Sequence, residues 1–332
     1  MNQKLRTKKT KALALLSGGL DSVLAVKLML NHGIDVHALN FTSPFCLCNR
    51  KGHCEAVEWA QKFNIPIKIM AKGKDYLRML RKPKHGYGGH MNPCIDCRIY
   101  AFKKAKKYAK QISAKFIFTG EVLNERPMSQ HLSALKLIEK EAGLKNKILR
   151  PLSAKLLPET EAEKMGYVNR DKLLAIKGRS RKPQIELAES LNIIDYHCPS
   201  GGCLLTEPNF ARRLKDFFKY SKNTTMNDIE LLKIGRHFRL NKTKIVVGRN
   251  EFENKKLLVL KQKKDIVLEV KDYMGPVVLL KGTNNNAIET AASICVRYSD
   301  AKKRAIIFSS TNKARQFSAS PIEEKILEKL RV

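Results

Sequence analysis

A glycine turn between two apolar runs constrains this chain more than any other feature. Residues 11–16 predict a buried strand, and residues 22–30 have the spacing of a helix that packs on a sheet. Between them stands Ser17-Gly18-Gly19-Leu20-Asp21-Ser22. Glycine lets the backbone approach an anion closely, and the N–H groups of a helix N-terminus attract it. The turn therefore predicts a cradle for a phosphate group.

The polar side chains of the turn suit the same ligand. Ser17 and Ser22 offer hydroxyl donors, and Asp21 is placed to orient Mg²⁺ or a phosphate-bound water. The segment lacks the Gly-Lys-Ser/Thr ending of a Walker A loop, so that class is excluded. The alternative is an ordinary turn between a strand and a helix.

The charge of the chain indicates a polyanionic partner. Its 332 residues are enough for two domains, and 64 Lys+Arg against 31 Asp+Glu give a net charge of +33. Such a field favours nucleic acid. A membrane partner is not expected, because neither a basic amphipathic helix nor a long apolar span stands out. The alternative is a basic, solvated surface.

The cysteines indicate chemistry rather than cross-linking. The apolar run before Ser17 is too short for a signal peptide, so we expect a cytoplasmic protein. In that compartment eight cysteines favour metal or catalytic thiols over a disulfide framework.

The first part of the chain alternates strands and helices, which predicts a doubly wound parallel sheet. Further strands are expected over 34–41, 65–70 and 115–120, and helices over 54–63, 94–113 and 184–191. Ligands of such sheets lie at the carboxyl ends of the strands. Ser17, Cys46 and Gly120 are expected at that edge.

The last hundred residues have a different pattern and predict a smaller α+β domain. The expected strands cover 244–248, 256–260, 266–270, 277–280 and 304–309, with a helix over 286–299. A helix is also expected over 204–220, and the polar residues 221–225 suit a linker. We place the α/β domain at 1–205, a helical linker at 206–230 and the α+β domain at 231–332.

Two groups of cysteines are candidate ligand sets. Cys94 and Cys97 form a Cys-x-x-Cys at a predicted helix start, where the dipole and Arg98 favour thiolate. Cys198 and Cys203 follow far downstream, and the four together allow a zinc site. The second group is Cys46, Cys48, His53 and Cys54, which allows zinc at a non-standard spacing or a polar loop with free thiols.

The turn at 17–22 resembles the PP-loop of the ATP pyrophosphatases, which share an adenine nucleotide alpha hydrolase-like fold. These enzymes use ATP to adenylate a carbonyl-type oxygen and release pyrophosphate. The resemblance implies ATP and Mg²⁺ as ligands. The nucleotide-binding residues that it implies are Ser17, Gly18, Gly19, Leu20, Asp21, Ser22, Phe41 and Gly120.

With Asn92-Pro93-Cys94-x-x-Cys97 and Gly202-Cys203, the chain resembles the tRNA 4-thiouridine synthases and 2-thiouridylases. Cys97 and Cys203 match the two catalytic cysteines of the 2-thiouridylases, and Asp21 joins them as a catalytic candidate. Many bacterial 2-thiouridylases carry Asp where this chain has Cys94. That departure implies the branch in which three cysteines, here Cys94, Cys97 and Cys203, hold a 4Fe–4S cluster whose open iron carries hydrosulfide. A persulfide relay through Cys203 and a zinc site are the alternatives.

The C-terminal domain resembles the RNA-binding NFACT-R domain through residues 247–251, 265–267 and 275–278. The resemblance implies phosphate contacts by Arg249, Lys271 and residues 302–304. Other candidates for the nucleotide or RNA are Arg126, Ser129, Gln130, Arg179, Arg181 and Lys182. For this last group the alternative is a solvated surface loop.

Together the two resemblances imply an ATP-dependent tRNA uridine sulfurtransferase that releases AMP and pyrophosphate. They favour 4-thiouridine over 2-thiouridine as the product. The expected partners are tRNA and a sulfur donor, either sulfide or a persulfide carrier, and a homodimer is allowed. The alternatives are a PP-loop ligase that acts on a small molecule and a non-catalytic RNA-binding adapter.

Overall fold

The chain divides into two units, Met1–Thr206 and Glu207–Val332. The structure is a computed structural model that describes residues 9–46, 54–194, 196, 202–282, 287–301, 303–310 and 315–332. The candidate residues Cys48, His53, Cys198 and Lys302 lie outside the described residues. The predicted domain and linker boundaries stay a prediction.

A parallel sheet forms the centre of the first unit. Its strands are β1 (Lys11–Leu15), β2 (Asp35–Thr42), β3 (Ile67–Ala71), β4 (Phe116–Thr119) and β5 (Ile148–Leu149). They lie in the order β3-β2-β1-β4-β5, and each pair is parallel. The predicted doubly wound α/β class is confirmed. The carboxyl ends of the strands therefore meet at one edge.

Helices cover both faces of this sheet. They are α1 (Leu20–Asn31), α2 (Glu55–Lys62), α3 (Lys74–Arg81), α4 (Cys94–Gln111), α5 (Leu132–Ala142), α6 (Glu161–Lys164) and α7 (Lys182–Ser190). Successive residues of β1 point into different cores, because side chains alternate along a strand. Ala12 and Ala14 pack with α1, whereas Leu13 packs with Phe102 of α4. Burial on both faces explains why this strand is apolar throughout.

The second unit is built on an antiparallel sheet. Its strands are β6 (Arg236–Leu240), β7 (Thr243–Val247), β8 (Ile266–Val270), β9 (Val278–Leu280), β10 (Ala305–Ser309) and β11 (Arg315–Ala319). The order is β11-β10-β8-β9-β7-β6. Its helices are α8 (Pro208–Tyr220), α9 (Met226–Leu232), α10 (Glu251–Leu260), α11 (Ile288–Arg297) and α12 (Glu324–Leu330). The predicted α+β class of this domain is confirmed.

The two faces of this sheet are covered by different helices. On one face α11 and α12 share a core with residues of the sheet that include Ile307 and Ala319. On the other face Leu231 of α9 and Leu257 of α10 pack on Val246 and Val267. Among the described helices, none combines the length and the apolar character that a membrane crossing requires.

The strand predicted over 256–260 is wrong, because these residues end helix α10. Asn250 caps the helix by accepting a hydrogen bond from the Glu253 amide at 2.9 Å. Glu253, Leu257 and Leu260 are its buried residues, which is a helical spacing. A short apolar run does not distinguish a strand from a buried helix. The capping residue Asn250 is the signal in the sequence that favours the helix.

A half-buried ion cluster joins α8 to the edge of the second sheet. Asp216 accepts hydrogen bonds from Arg239 Nη2 at 2.5 Å and from Lys244 Nζ at 3.1 Å. Burial raises the pKa of Asp216, but the hydrogen bond from Arg239 and the charge of Lys244 outweigh burial and leave the pKa below its usual value. The carboxylate therefore stabilises the folded second unit.

Replacing Asp216→Asn is expected to lower the free energy of unfolding of the second unit by roughly 3 kcal/mol at neutral pH, because two buried cations lose their partner. A carboxyl group with a depressed pKa stabilises the fold above its unfolded pKa, and this stabilisation is lost as pH falls. The difference from the wild type should therefore shrink at acidic pH. Hydrogen exchange of the β6 and β7 amides measures it.

The control is Glu251→Gln, which removes an exposed pair with Lys255 and should change the stability by less than about 0.5 kcal/mol. Equal protection of the β6 and β7 amides in the Asp216 variant and the control would contradict the assignment.

Candidate active site

The turn after β1 presents the N-terminus of α1 at the carboxyl edge of the first sheet. Gly19 is the N-cap residue, its backbone is extended, and no side chain caps the helix. The Ser22 hydroxyl donates to the Gly19 carbonyl at 2.8 Å and accepts from the Ser17 amide at 3.2 Å. The two serines thus hold the turn in shape. A helix N-terminus in this arrangement can bind a phosphate group.

Two glycines allow the chain to pass unusually close to this turn. Gly18 has φ +90°, and a Cβ there would lie 2.6 Å from the Cβ of Glu55. A Cβ on Gly120 would lie 2.4 Å from the carbonyl oxygen of Asp21 and 2.5 Å from the amide nitrogen of Ser22. The residue after β4 therefore packs directly on the first turn of α1.

An arginine bridges two carboxylates beside the turn. Arg181 donates to Asp21 Oδ2 at 2.5 Å and forms an ion pair with Glu125. Burial, and then the charge of Asp21, raise the pKa of Glu125 to about 7. Asp21 Oδ1 is buried and lacks a hydrogen-bond partner among the described residues. The carboxylate thus keeps an oxygen that suits Mg²⁺.

Cys97 lies on the first turn of α4 and is held by two donors from other elements. Lys72, which follows β3, donates to its sulfur at 3.0 Å, and Tyr76 of α3 donates at 3.6 Å. Burial raises the pKa of Cys97, but the ammonium of Lys72 and the hydroxyl of Tyr76 outweigh burial, so that the pKa lies below its ordinary value. Cys97 is therefore the thiol that this site prepares as a thiolate.

Cys94 and Cys203 lie within electrostatic range of Cys97. Burial, and then the negative charge of Cys97, raise the pKa of Cys94. Burial also raises the pKa of Cys203 to about 11, and both other thiols add to the shift. Burial, and then the charges of these three sulfurs, raise the pKa of the Tyr76 hydroxyl. The three predicted cysteines therefore lie close enough for each thiol to shift the pKa of another.

Backbone hydrogen bonds hold the Cys203 segment at this edge. Cys203 forms an isolated antiparallel bridge with Cys46, which lies just after β2. The amide of Leu204 donates to the Phe45 carbonyl at 2.8 Å, and the Met91 amide donates to the Leu205 carbonyl at 3.0 Å. A segment far along the chain is thereby fixed beside the start of α4.

The loop after β4 packs on the turn at 17–22 and pairs with Arg98 of α4. Gly120 packs on Asp21, as described above. Glu121 pairs with Arg98 at 3.3 Å, next to Cys97, and the charge of Arg126 lowers the pKa of Cys94 against burial. Residues 120–126 therefore connect the two halves of the site.

The cysteines of the site can be tested as ligands of the iron–sulfur cluster and the zinc ion that the sequence analysis considers. Three half-buried thiols, Cys94, Cys97 and Cys203, supply the ligand type that iron–sulfur clusters use, so the donor set fits a cluster. No three His, Cys, Asp or Glu side chains within the described ranges converge on a single metal ion. Two cysteines of the proposed zinc site at 46–54 are described. The backbone of Cys46 forms a β-bridge with Cys203, and Cys54 packs against the core that contains α1. That hypothesis stays a prediction.

Several other predicted residues are engaged elsewhere. Phe41 packs against the core that contains α4 and α5. Ser129 and Gln130 are buried, and Gln130 accepts a hydrogen bond from the Arg126 amide at 3.0 Å. In the second unit, Arg249 forms an ion pair with Glu253. Direct contacts of these residues with a ligand stay a prediction.

Sequence reasoning missed Lys72, Tyr76 and the carboxylates Glu121 and Glu125. Lys72 could have been found, because it follows β3 at the edge where ligands of parallel sheets lie. Arg181 was predicted as an RNA contact or a solvated residue, but its pairing with Asp21 joins positions 160 residues apart. No local pattern reports such a pair.

Replacing Lys72→Met is expected to slow the alkylation of Cys97 by roughly tenfold at neutral pH, because loss of the nearby cation raises the thiol pKa. Iodoacetamide labelling of metal-free protein, read on the Cys97 peptide by mass spectrometry, measures the rate. Lys74→Met removes an exposed neighbouring cation and serves as the control. Equal rates in the two variants would contradict the role of Lys72.

Replacing Gly120→Ala is expected to destabilise the first unit by about 1–3 kcal/mol, because the new Cβ meets backbone atoms of α1. Trp59, the single tryptophan of the chain, reports urea unfolding of this unit by fluorescence. Gly89→Ala is the control, since a Cβ there meets nothing within 4 Å. A Gly120 variant as stable as this control would show that the close contact is not tight.

Comparisons with known proteins agree with the two units. Residues 235–331 match the family model described as NFACT protein RNA binding domain, and residues 7–156 match the model described as Thiamine biosynthesis protein (ThiI). A curated relative from Thermococcus kodakarensis, named Probable tRNA sulfurtransferase, is 32% identical over 149 residues. The match covers 43% of this chain and 36% of the relative, so the chain spans little more than a third of that protein.

Remote likenesses to solved structures accompany these matches. A 4-thiouridine synthetase–RNA complex with bound ATP is 21% identical, with a TM-score of 0.34 over 55% of this chain and 52% of the other. The U34-tRNA thiolase NcsA from Methanococcus maripaludis, solved with its [4Fe-4S] cluster, is 17% identical, with a TM-score of 0.35 over 70% and 72%. The first unit is thus similar to the ThiI model over residues 7–156, and the second unit is similar to the NFACT RNA binding domain model over residues 235–331.

Proposed function

We propose that this protein is an ATP-dependent tRNA sulfurtransferase whose first unit adenylates a uridine and replaces its oxygen with sulfur. The observation that carries the proposal is the loop after β4. Gly120 of this loop packs on the phosphate cradle, Glu121 pairs with Arg98 beside Cys97, and the charge of Arg126 lowers the pKa of Cys94 against burial. A nucleotide and a sulfur source held by these two halves would share one edge of the sheet.

The cradle supplies the first half of the reaction. The amides of residues 17–22 would hold the phosphates of ATP, and Asp21 would hold Mg²⁺. The uridine carbonyl oxygen attacks the α-phosphorus, the bond to the bridging oxygen breaks, and pyrophosphate leaves with the electron pair. Backbone amides and the helix dipole stabilise the charge that develops on the phosphates. Arg181, now paired with Asp21 and Glu125, lies where it can also meet a phosphate.

The thiols supply the second half of the reaction. Sulfur attacks the adenylated carbon, the C–S bond forms, and AMP leaves with the former uridine oxygen. With hydrosulfide as the donor, no electrons are exchanged. We propose that Cys94, Cys97 and Cys203 hold a 4Fe–4S cluster, which would supply an open position for the incoming sulfur. Lys72 and Tyr76 would hold the Cys97 sulfur in place from outside the cluster.

A persulfide relay is the second candidate mechanism. The lowered pKa of Cys97 is typical of a thiol that attacks or resolves a sulfur–sulfur bond. In this mechanism a persulfide carrier transfers its outer sulfur to Cys203, and this sulfur attacks the adenylated carbon as AMP leaves. Cys97 then attacks the sulfur of Cys203, which breaks the sulfur–sulfur bond, leaves the outer sulfur on the uridine and forms a Cys97–Cys203 disulfide. Two molecules of an added thiol reduce that disulfide. Iron and sulfide analysis after anaerobic purification separates the two mechanisms, since an iron-free and fully active enzyme would favour the relay.

Several observations favour tRNA as the substrate. The net charge of +33 suits a polyanion, and the second unit matches an RNA-binding domain model. The curated relative carries the name of a tRNA sulfurtransferase. Within this proposal, 4-thiouridine is the favoured product and 2-thiouridine the alternative.

The experiment that tests the proposal is thiolation of a tRNA transcript with ATP, Mg²⁺ and sulfide, read by nucleoside analysis. Cys97→Ala is expected to lower thiouridine formation by at least about 100-fold, because the essential thiol is lost. Its tRNA affinity should stay within about twofold of the wild type, since no charge that faces RNA is removed. Cys295→Ala, in the core of the second unit, is the matched control and should remain active.

Other outcomes identify the rival functions. Pyrophosphate release that small carboxylic acids stimulate, and tRNA does not, would make the protein a small-molecule ligase. Tight tRNA binding without any pyrophosphate release or thiouridine would make it an adapter.

A further inference from the structure

Part of one face of the second sheet, along β10 and β11, is exposed among the described residues. Along β10 the buried residues Ala305, Ile307 and Ser309 alternate with the exposed residues Ile306 and Phe308. The buried set packs towards α11 and α12, as Ile307 does. The exposed set points to the opposite face, because side chains alternate along a strand.

The helices on that opposite face stop short of β10. Val246 of β7, Leu279 of β9 and Val267 of β8 pack against α9 and α10, and no residue of β10 or β11 joins this core within the described part of the chain. Val267 shares its face with Glu269 and Lys271 by the period of two. The sheet therefore extends past its helical cover by the width of two strands.

The strand register defines what this open face presents. Phe308 lies opposite Glu269 on one side and Gln316 on the other. Lys271 donates its amide to the Ile306 carbonyl, and its ammonium lies 5.9 Å from the centre of the Phe308 ring. Phe308 is 41% exposed. A half-exposed aromatic ring beside a lysine is a surface on which a base can stack.

Basic residues lie at both ends of β10. Lys303 and Arg304 are exposed just before the strand. At its other end, Lys261 Nζ contacts Ser310 Oγ at 3.3 Å, and Ser310 follows Ile306 and Phe308 in the period of two. Glu269 is the acidic side chain on the face itself. Positive charge at the ends and an aromatic ring between them fit a strand of phosphates that brings a base to the centre.

We propose that this open face binds unpaired RNA, with Phe308 as the stacking platform and Arg304 and Lys261 as phosphate contacts. The choice of RNA as the partner rests on the proposed function and deepens it. Stacking needs an exposed base face, so a single strand or a loop is bound here and a continuous duplex is not.

The test measures binding of a fluorescein-labelled single-stranded 12-nucleotide RNA to the full chain by fluorescence anisotropy. Phe308→Ala is expected to weaken binding by about 5- to 150-fold, the value of one stacked base. Phe308→Tyr should stay within about twofold of the wild type, because the ring remains. Phe308 is exposed, and an unchanged melting temperature will show that the variant folds.

The chain supplies a matched control for Phe308. Phe252 of α10 is 69% exposed, and Lys256 lies 5.9 Å from its ring centre. Phe252→Ala therefore removes an exposed ring beside a lysine in the same unit, but away from the open face. It should leave the RNA affinity within about twofold of the wild type, since it is not the stacking platform.

A second measurement tests the phosphate contacts. The variant with Arg304→Ala and Lys261→Ala should lower the salt dependence of RNA binding, because each lost contact reduces the slope by about 0.7 for a single strand. The slope of log affinity against log salt should fall by about 1.4 in the double variant.

Three results would overturn this assignment. They are an unchanged affinity in Phe308→Ala, an equal loss in Phe252→Ala, and a Phe308 variant that changes the oligomeric state while RNA binding stays unchanged. In each case, thiouridine formation by the wild-type protein would still support the proposed function. Conversely, Phe308-dependent RNA binding by a protein that makes no thiouridine would contradict the proposed function and support the RNA-binding face.

Discussion

The packing of Gly120 on the first turn of α1 is the contact on which the site depends. A side chain at this position would collide with the backbone of Asp21 and Ser22, so only glycine brings the two loops together. Because β1 and β4 are adjacent and parallel, their following loops leave the sheet side by side. The residues after Gly120 then reach the start of α4. The order of the strands therefore places the phosphate cradle near the thiols.

Electrostatic balance keeps charged groups in this half-buried region. Burial raises the pKa of Glu121, but Arg98 and Arg150 outweigh burial and keep the carboxylate charged. Lys72 does the same for Cys97, whereas burial outweighs the cations near Cys94 and Cys203 and leaves the pKa of both thiols raised. The site therefore prepares one thiolate among three thiols. A bound cationic cluster or phosphate would change the pKa values of these groups, because each carries more charge than a single side chain.

The sequence predicted the parts of the site that lie in local patterns. The strand, the turn at 17–22 and α1, and the start of α4 at Cys94 follow from apolar runs and turn residues that are contiguous in the chain. The same reasoning failed at 256–260, where an apolar run of five residues fits both a strand and a helix. Arg181 with Asp21, and Cys203 with Cys46, depend on how distant segments fold together, so no local pattern predicted them.

A crystal structure of the anaerobically purified protein with a non-hydrolysable ATP analogue tests the central claim most directly. We predict that the triphosphate lies on the amides of residues 17–22 and that metal density lies among Cys94, Cys97 and Cys203, with residues 120–126 lining the space between them. A nucleotide bound elsewhere, or thiols that open onto a different surface from the nucleotide, would contradict the account.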